Sequence, residues 1–108
     1  MQENMFQSDN TFILPDQGNK ITENDIKKNQ LRITVAFKKY FPKGNDILQF
    51  EYNSEICNVL FTNRDSLEKN RSHILKLGKT LMQKLNLNSN SRVRITVLRN
   101  KCYKIEVV

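Results

Sequence analysis

The feature that most constrains what this chain can fold into is a single unit written twice. When the sequence is laid against itself, Ile33 and Val35 fall on Leu75 and Leu77. Each copy then runs into a short helical segment, KKYF (Lys38 to Phe41) or KTLMQKL (Lys79 to Leu85), followed by a polar turn and a hairpin. The first hairpin strand carries Leu48, Phe50 and Tyr52 where the second copy carries Val93, Ile95 and Val97. The return strand carries Cys57, Val59 and Phe61 where the second copy carries Tyr103, Ile105 and Val107. Each triplet has the two-residue spacing that sends alternate side chains of a strand to one face. One such unit cannot cover its own apolar face. Two units related by a pseudo-twofold axis can close into a small barrel with capped ends and no long free edges.

The remaining strand signals fit the same plan. Blocks rich in β-branched and aromatic residues run over LRITVAF (Leu31 to Phe37), ILQFEY (Ile47 to Tyr52), ICNVLFT (Ile56 to Thr62), RVRITVL (Arg92 to Leu98) and CYKIEVV (Cys102 to Val108). SHILKL (Ser72 to Leu77) adds a sixth, and TFIL (Thr11 to Leu14), stopped by Pro15, adds a short first one. Turn-forming residues separate them at Pro42 to Asn45, Asn53-Ser54, Asn88 to Ser91 and Arg99-Asn100. The expected fold is mainly β with two short helices, the duplicated strand-helix-hairpin forming a seven-stranded pseudobarrel. At 108 residues and 12.7 kDa the chain suits one domain over 1–108, with residues 1–10 as a flexible lead-in.

Several classes of function lose support at this stage. No apolar run approaches the roughly 20 residues of a membrane span, and MQENMFQSDN has neither the basic patch nor the apolar stretch of an export signal, so the expected location is the cytoplasm. Cys57 and Cys102 lack metal or redox spacing and lie in strand-like blocks, where buried free thiols are expected. His73 has no evident metal-ligand companions. Gly78-Lys79-Thr80 copies the end of a phosphate-binding loop, but the glycine that loop needs five residues before Gly78 is replaced by His73. It reads instead as a glycine where strand meets helix. No base stands near a nucleophile and the carboxylates are scattered, so no catalytic residue, metal or cofactor is expected.

The formal charge of +7 and a pI near 9.6 favour a polyanionic partner, and the charge is unevenly placed. Residues 1–26 and 44–73 are net acidic, whereas 27–43 and 74–104 are strongly basic. Two polar stretches lack periodicity, Asp16 to Gln30 and Asn63 to Arg71. The first is long for a connection in so small a domain, and loops of that length tend to be functional or disordered. Their Asn, Arg, Lys, Ser and Gln side chains are those that bond base edges and phosphates. Lys38, Lys39, Lys43, Lys79, Lys84, Arg92, Arg94, Arg99 and Lys101 extend the positive field over helices and hairpins.

The order strand, long loop, strand, short helix, hairpin, polar loop, strand, short helix, hairpin, together with RITVAFKKYFP (Arg32 to Pro42), resembles the B3-like DNA-binding pseudobarrel of plant B3 domains and of the EcoRII and BfiI recognition domains. Within that superfamily the chain is most similar to the N-terminal DNA-binding domain of an LlaJI-type, McrB-related restriction component. The resemblance implies a targeting module that grips double-stranded DNA in the major groove with two arms. A GTP-hydrolysing motor and a nuclease partner would lie outside this chain, as would contacts to other restriction subunits. It places Lys20, Asn24, Lys27 and Lys28 in the first arm, and Asn63, Arg64, Ser66, Lys69, Asn70 and Arg71 in the second. No small-molecule substrate or membrane is implied. Two other readings stay open. One is a swapped-hairpin regulator of the AbrB or antitoxin kind, whose half-barrel ends much like LMQKLNLNSNSRVRITVL. The other is a protein-interaction module with an incidental basic surface.

Overall fold

The computed structural model describes residues 10–15, 18–64 and 72–108. Seven strands form one sheet: β1 (Thr11–Leu14), β2 (Gln30–Ile33), β3 (Asp46–Tyr52), β4 (Glu55–Thr62), β5 (His73–Lys76), β6 (Val93–Arg99) and β7 (Cys102–Val107). They lie in the order β1-β6-β7-β3-β4-β5-β2, and the sheet curls into a nearly closed barrel. Its helices are α1 (Glu23–Lys27), a 3-10 helix at Val35–Tyr40, and α2 (Lys79–Leu85). Among the described residues no helix is long and apolar enough to cross a membrane.

The alternation read from the sequence builds the core. Leu48, Phe50, Val59, Phe61, Val93 and Ile95 are fully buried, with Tyr103 and Ile105 nearly so. Phe41 sits among them, stacked on Phe61 at 5.2 Å and on Tyr103 at 5.1 Å between ring centroids. Phe50 closes the stack against Tyr103 at 5.0 Å. Such offset pairs add to the stabilisation that burial of the rings already gives. From the second copy, α2 buries Leu81, Met82 and Leu85. Gly78, with φ of 86°, takes the left-handed turn between β5 and α2, which is the structural role the sequence assigns it.

The twofold relation between the copies holds in one part of the barrel and fails in another. Antiparallel β2 and β5 pair Ile33 with His73 and Leu31 with Leu75, and exchanging the two copies turns one pair into the other. On the far side β3 pairs with β7 in parallel. Its symmetric counterpart, β6 beside β4, is absent because the extra strand β1 occupies that edge of β6. The hairpins are also out of step. Leu48 faces Val59 in the first, whereas Val93 faces Val107 in the second, with a register shift between Val97 and Arg99. Phe61 is therefore fully buried while Val107, its expected counterpart, is 43% exposed.

Three further expectations are corrected. The strand expected over Leu31 to Phe37 stops at Ile33, and Val35 is exposed. Bonds from Phe37 N to Thr34 O and from Phe41 N to Lys38 O wind the chain into the 3-10 helix, so the helix expected at Lys38 to Phe41 begins three residues earlier. Residues three apart eclipse in such a helix. Phe37 and Tyr40 thereby stack together on Phe12, at 4.7 and 4.8 Å. Secondly, the first polar stretch contains a helix, α1, so the described residues hold three helices rather than two. Thirdly, Cys57 and Cys102 are free but only half-buried, with Cys102 Sγ 3.3 Å from Gln49 Oε1.

Tyr103 makes this core sensitive to alkali. Its hydroxyl donates to Tyr40 O at 2.6 Å, and burial pushes its pKa from 10.0 up to about 12. Below pH 10 the phenol is neutral in folded and unfolded chains alike, and its contribution to stability is complete. Above that the unfolded chain ionises first, so the contribution drains away as pH climbs toward about 12. The difference in melting temperature between the wild type and Tyr103→Phe, which cannot ionise, should change between pH 10 and 12. Parallel melting curves across that window would refute the assignment.

Candidate nucleic-acid interface

α1 lies on the outer face of β2, and a buried carboxylate holds it there. Thr22 Oγ1 accepts from Asp25 N at 3.1 Å, and Asp25 Oδ2 accepts from Thr22 N at 3.4 Å, which closes a reciprocal cap at the helix start. Asp25, 4% exposed, also accepts from Gln30 Nε2 at 3.0 Å and from Arg32 Nε at 3.1 Å, both on β2. Arg32 is thus fixed by one nitrogen while its side chain stays substantially exposed. At the other end of α1, Asn29 O accepts from Leu77 N at 2.9 Å, tying the helix exit to the segment after β5.

The second arm starts from an equally firm root. Arg64 N donates to Nδ1 of His73 at 3.1 Å, and Arg64 Nε donates to Ser72 O at 2.6 Å. His73 is itself 2% exposed and meets the edge of Phe61 at 5.4 Å. The main chain of Arg64 is consequently placed by a buried imidazole and its guanidinium by a main-chain carbonyl.

These two roots face each other across the outer surface of β2 and β5. Asn24 and Lys28 from the first, Arg64 and Ser72 from the second, and Arg32 and Ile74 between them line one solvent-open groove of about 610 Å³. It continues into a second hollow that Lys28 and Arg64 share with Thr62 and Lys76. Lys28, Arg32, Arg64 and Lys76 give the groove four cations, and Asp25, the acid in its wall, has its oxygens engaged by Gln30 and Arg32. Arg32 pairs with Asp25 inside the groove, and some basic residues outside it meet acids as well. Lys84 pairs with Glu55, Lys101 with Asp46 at 2.7 Å, and Arg94 with Glu106 at 3.8 Å.

Of the residues expected in the arms, Asn24, Lys28 and Arg64 meet in this groove. Lys27 is exposed on α1 but lines neither hollow. Lys20 lines a different, smaller cavity of about 80 Å³ at the seam of the barrel, beside Leu14, Ile21 and Leu31. Asn63 is committed to the scaffold, its Nδ2 donating to Lys43 O and its main-chain N–H to Asn45 Oδ1, both at 2.8 Å. Ser66, Lys69, Asn70 and Arg71 lie outside the described residues. Arg32 and Lys76 were not among the residues expected to bind, although each stands at the outward position of an otherwise apolar strand, LRI and ILK, where alternation points it to solvent.

Comparison with family models, with curated proteins and with solved structures found no match to this chain.

Proposed function

We propose that this domain binds duplex DNA at specific sites, presenting the groove between α1 and Arg64 to the major groove, and that it acts as the targeting module of a restriction system. The observation that carries the DNA-binding reading is the convergence of Lys28, Arg32, Arg64 and Lys76 on one open surface beside Asn24 and Ser72. Cations of this kind neutralise phosphates, while arginine and asparagine can form paired bonds with guanine and adenine edges. The two arm roots are held by buried groups, and such preorganisation lowers the ordering cost of binding. The place in a restriction system rests on the resemblance in element order. In that role the domain supplies recognition, and catalysis belongs to other parts of the assembly. A swapped-hairpin regulator needs two chains per barrel, whereas this sequence carries both halves, so an obligate dimer in solution would favour that second reading.

Selection of bound duplexes from a random pool tests this reading. A single enriched short site is expected, together with a slope of log affinity against log salt of about −3 to −4 if the four cations meet phosphates. Binding to every duplex alike, with no enrichment, would reduce the domain to a general polyanion binder. Absence of binding at low salt would overturn the reading altogether.

A further inference from the structure

Resting on that DNA-binding reading, we propose that the footprint continues from the groove onto the outer face of β4 and β3, where Leu60 and Ile47 make apolar contact with the duplex. One cross-strand row, Gln30, Lys76, Leu60 and Ile47, runs across β2, β5, β4 and β3. Alternation fixes its direction. The neighbours Leu75, Phe61 and Leu48 are fully buried, whereas Leu60 is 48% and Ile47 60% exposed. Directly paired residues of an antiparallel ladder bring their Cβ atoms to about 5 Å, so Leu60 and Ile47 form one apolar step with Lys76 against its side. At a strand spacing of about 4.8 Å, Leu60 lies roughly 10 Å and Ile47 roughly 15 Å from β2. That is the scale of a major groove about 12 Å wide.

Scattered exposed aliphatic residues are ordinary on a protein surface. This pair is contiguous and shares a row with a cation that lines the groove. Charge selects its occupant. A second copy would bring another chain of net charge +7 against Lys76. A duplex brings phosphate to Lys76, and thymine methyl groups or deoxyribose edges to the two aliphatic side chains.

The test compares wild type with Leu60→Ser/Ile47→Ser on the duplex enriched by selection and on the same duplex with uracil in place of thymine. The double variant should bind about tenfold more weakly at an unchanged salt slope, because apolar area is lost and no cation is removed. If thymine methyls are the contact, the wild type loses affinity for the uracil duplex and the variant does not discriminate. If sugar edges are the contact, uracil changes neither. Ile56→Ser, 63% exposed on the same face of β4 and about 13 Å away, should bind as the wild type does. Unchanged melting temperatures confirm that the variants fold, and Leu60→Thr/Ile47→Thr repeats the test with strand-favouring side chains.

The proposal is overturned if the double variant keeps full affinity, or if Ile56→Ser loses as much. It is equally overturned if the wild type is a dimer that the double variant dissociates. Loss of binding in a Lys28/Arg64 variant alongside full binding by the Leu60/Ile47 variant would remove this extension and leave the DNA-binding reading standing. Failure of the wild type to bind any duplex would remove both.

Discussion

Phe61→Ala should lower the free energy of unfolding by about 3 to 5 kcal/mol, measured by urea denaturation near neutral pH. The ring is fully buried, stacks on Phe41 at 5.2 Å and meets the His73 imidazole edge-on at 5.4 Å. Its removal deletes a large apolar volume and leaves a cavity that the surrounding strands can only partly collapse. A domain of this size holds on the order of 5 to 15 kcal/mol in all, so the loss is a large share of its stability. Leu60→Ala is the matched control, one residue away on the same strand but facing outward, and should cost less than about 1 kcal/mol. Equal losses at the two positions would contradict the inward direction of Phe61. On the proposed DNA-binding reading, the variant should also bind DNA more weakly under conditions where it remains folded. His73 loses its packing partner, and with it Arg64 loses a fixed anchor.

The second large effect is on binding. Lys28→Ala/Arg64→Ala removes the two cations that line both hollows of the groove. If Arg64 reads a base, its loss costs about 1 to 3 kcal/mol. With Lys28 included, affinity for the selected duplex should drop by roughly two orders of magnitude, and up to about 1.8 should be lost from the salt slope if both meet phosphate. Lys27→Ala removes the same charge from the same helix but outside the groove, and should leave the slope near the wild-type value. A wild-type slope and affinity in the double variant would show that DNA, if bound, lies elsewhere.

Much of the barrel is legible in the sequence because its strands obey a simple rule. Where one face is buried, a two-residue period leaves little freedom, and Leu48, Phe50, Val93 and Ile95 lie where that rule places them. The rule fails where local hydrogen bonding overrides it. LRITVAF keeps an alternating pattern through Phe37, yet the chain turns at Thr34 into a 3-10 helix from which Phe37 and Tyr40 stack on Phe12. The short helix α1 was missed for another reason. Five residues carry no apolar periodicity, and its only mark is the cap, Thr22 followed by Asp25 three positions later.

The candidate site was legible in part. Its polar loops stand out by composition, and three of their residues reach the groove. Arg32 and Lys76 were hidden inside strand blocks, where a cation reads as ordinary outward surface until a neighbouring element makes that surface concave. Asn63 shows the converse. Its composition suits base recognition, but its amide is already used to brace the turn at Lys43 to Asn45.

The clamp at the root of the second arm has a consequence for the segment it encloses. Arg64 is bonded to both Ser72 and His73, so the chain is pinned on either side of residues 65–71 whatever their sequence. The entropy of closing that segment is met at the pins and grows only slowly with its length. The two ends of the interval are therefore set by bonds that belong to Arg64, Ser72 and His73 themselves. Phe61, His73 and Arg64 thus form one socket, in which a buried ring carries the imidazole that holds the main chain of Arg64.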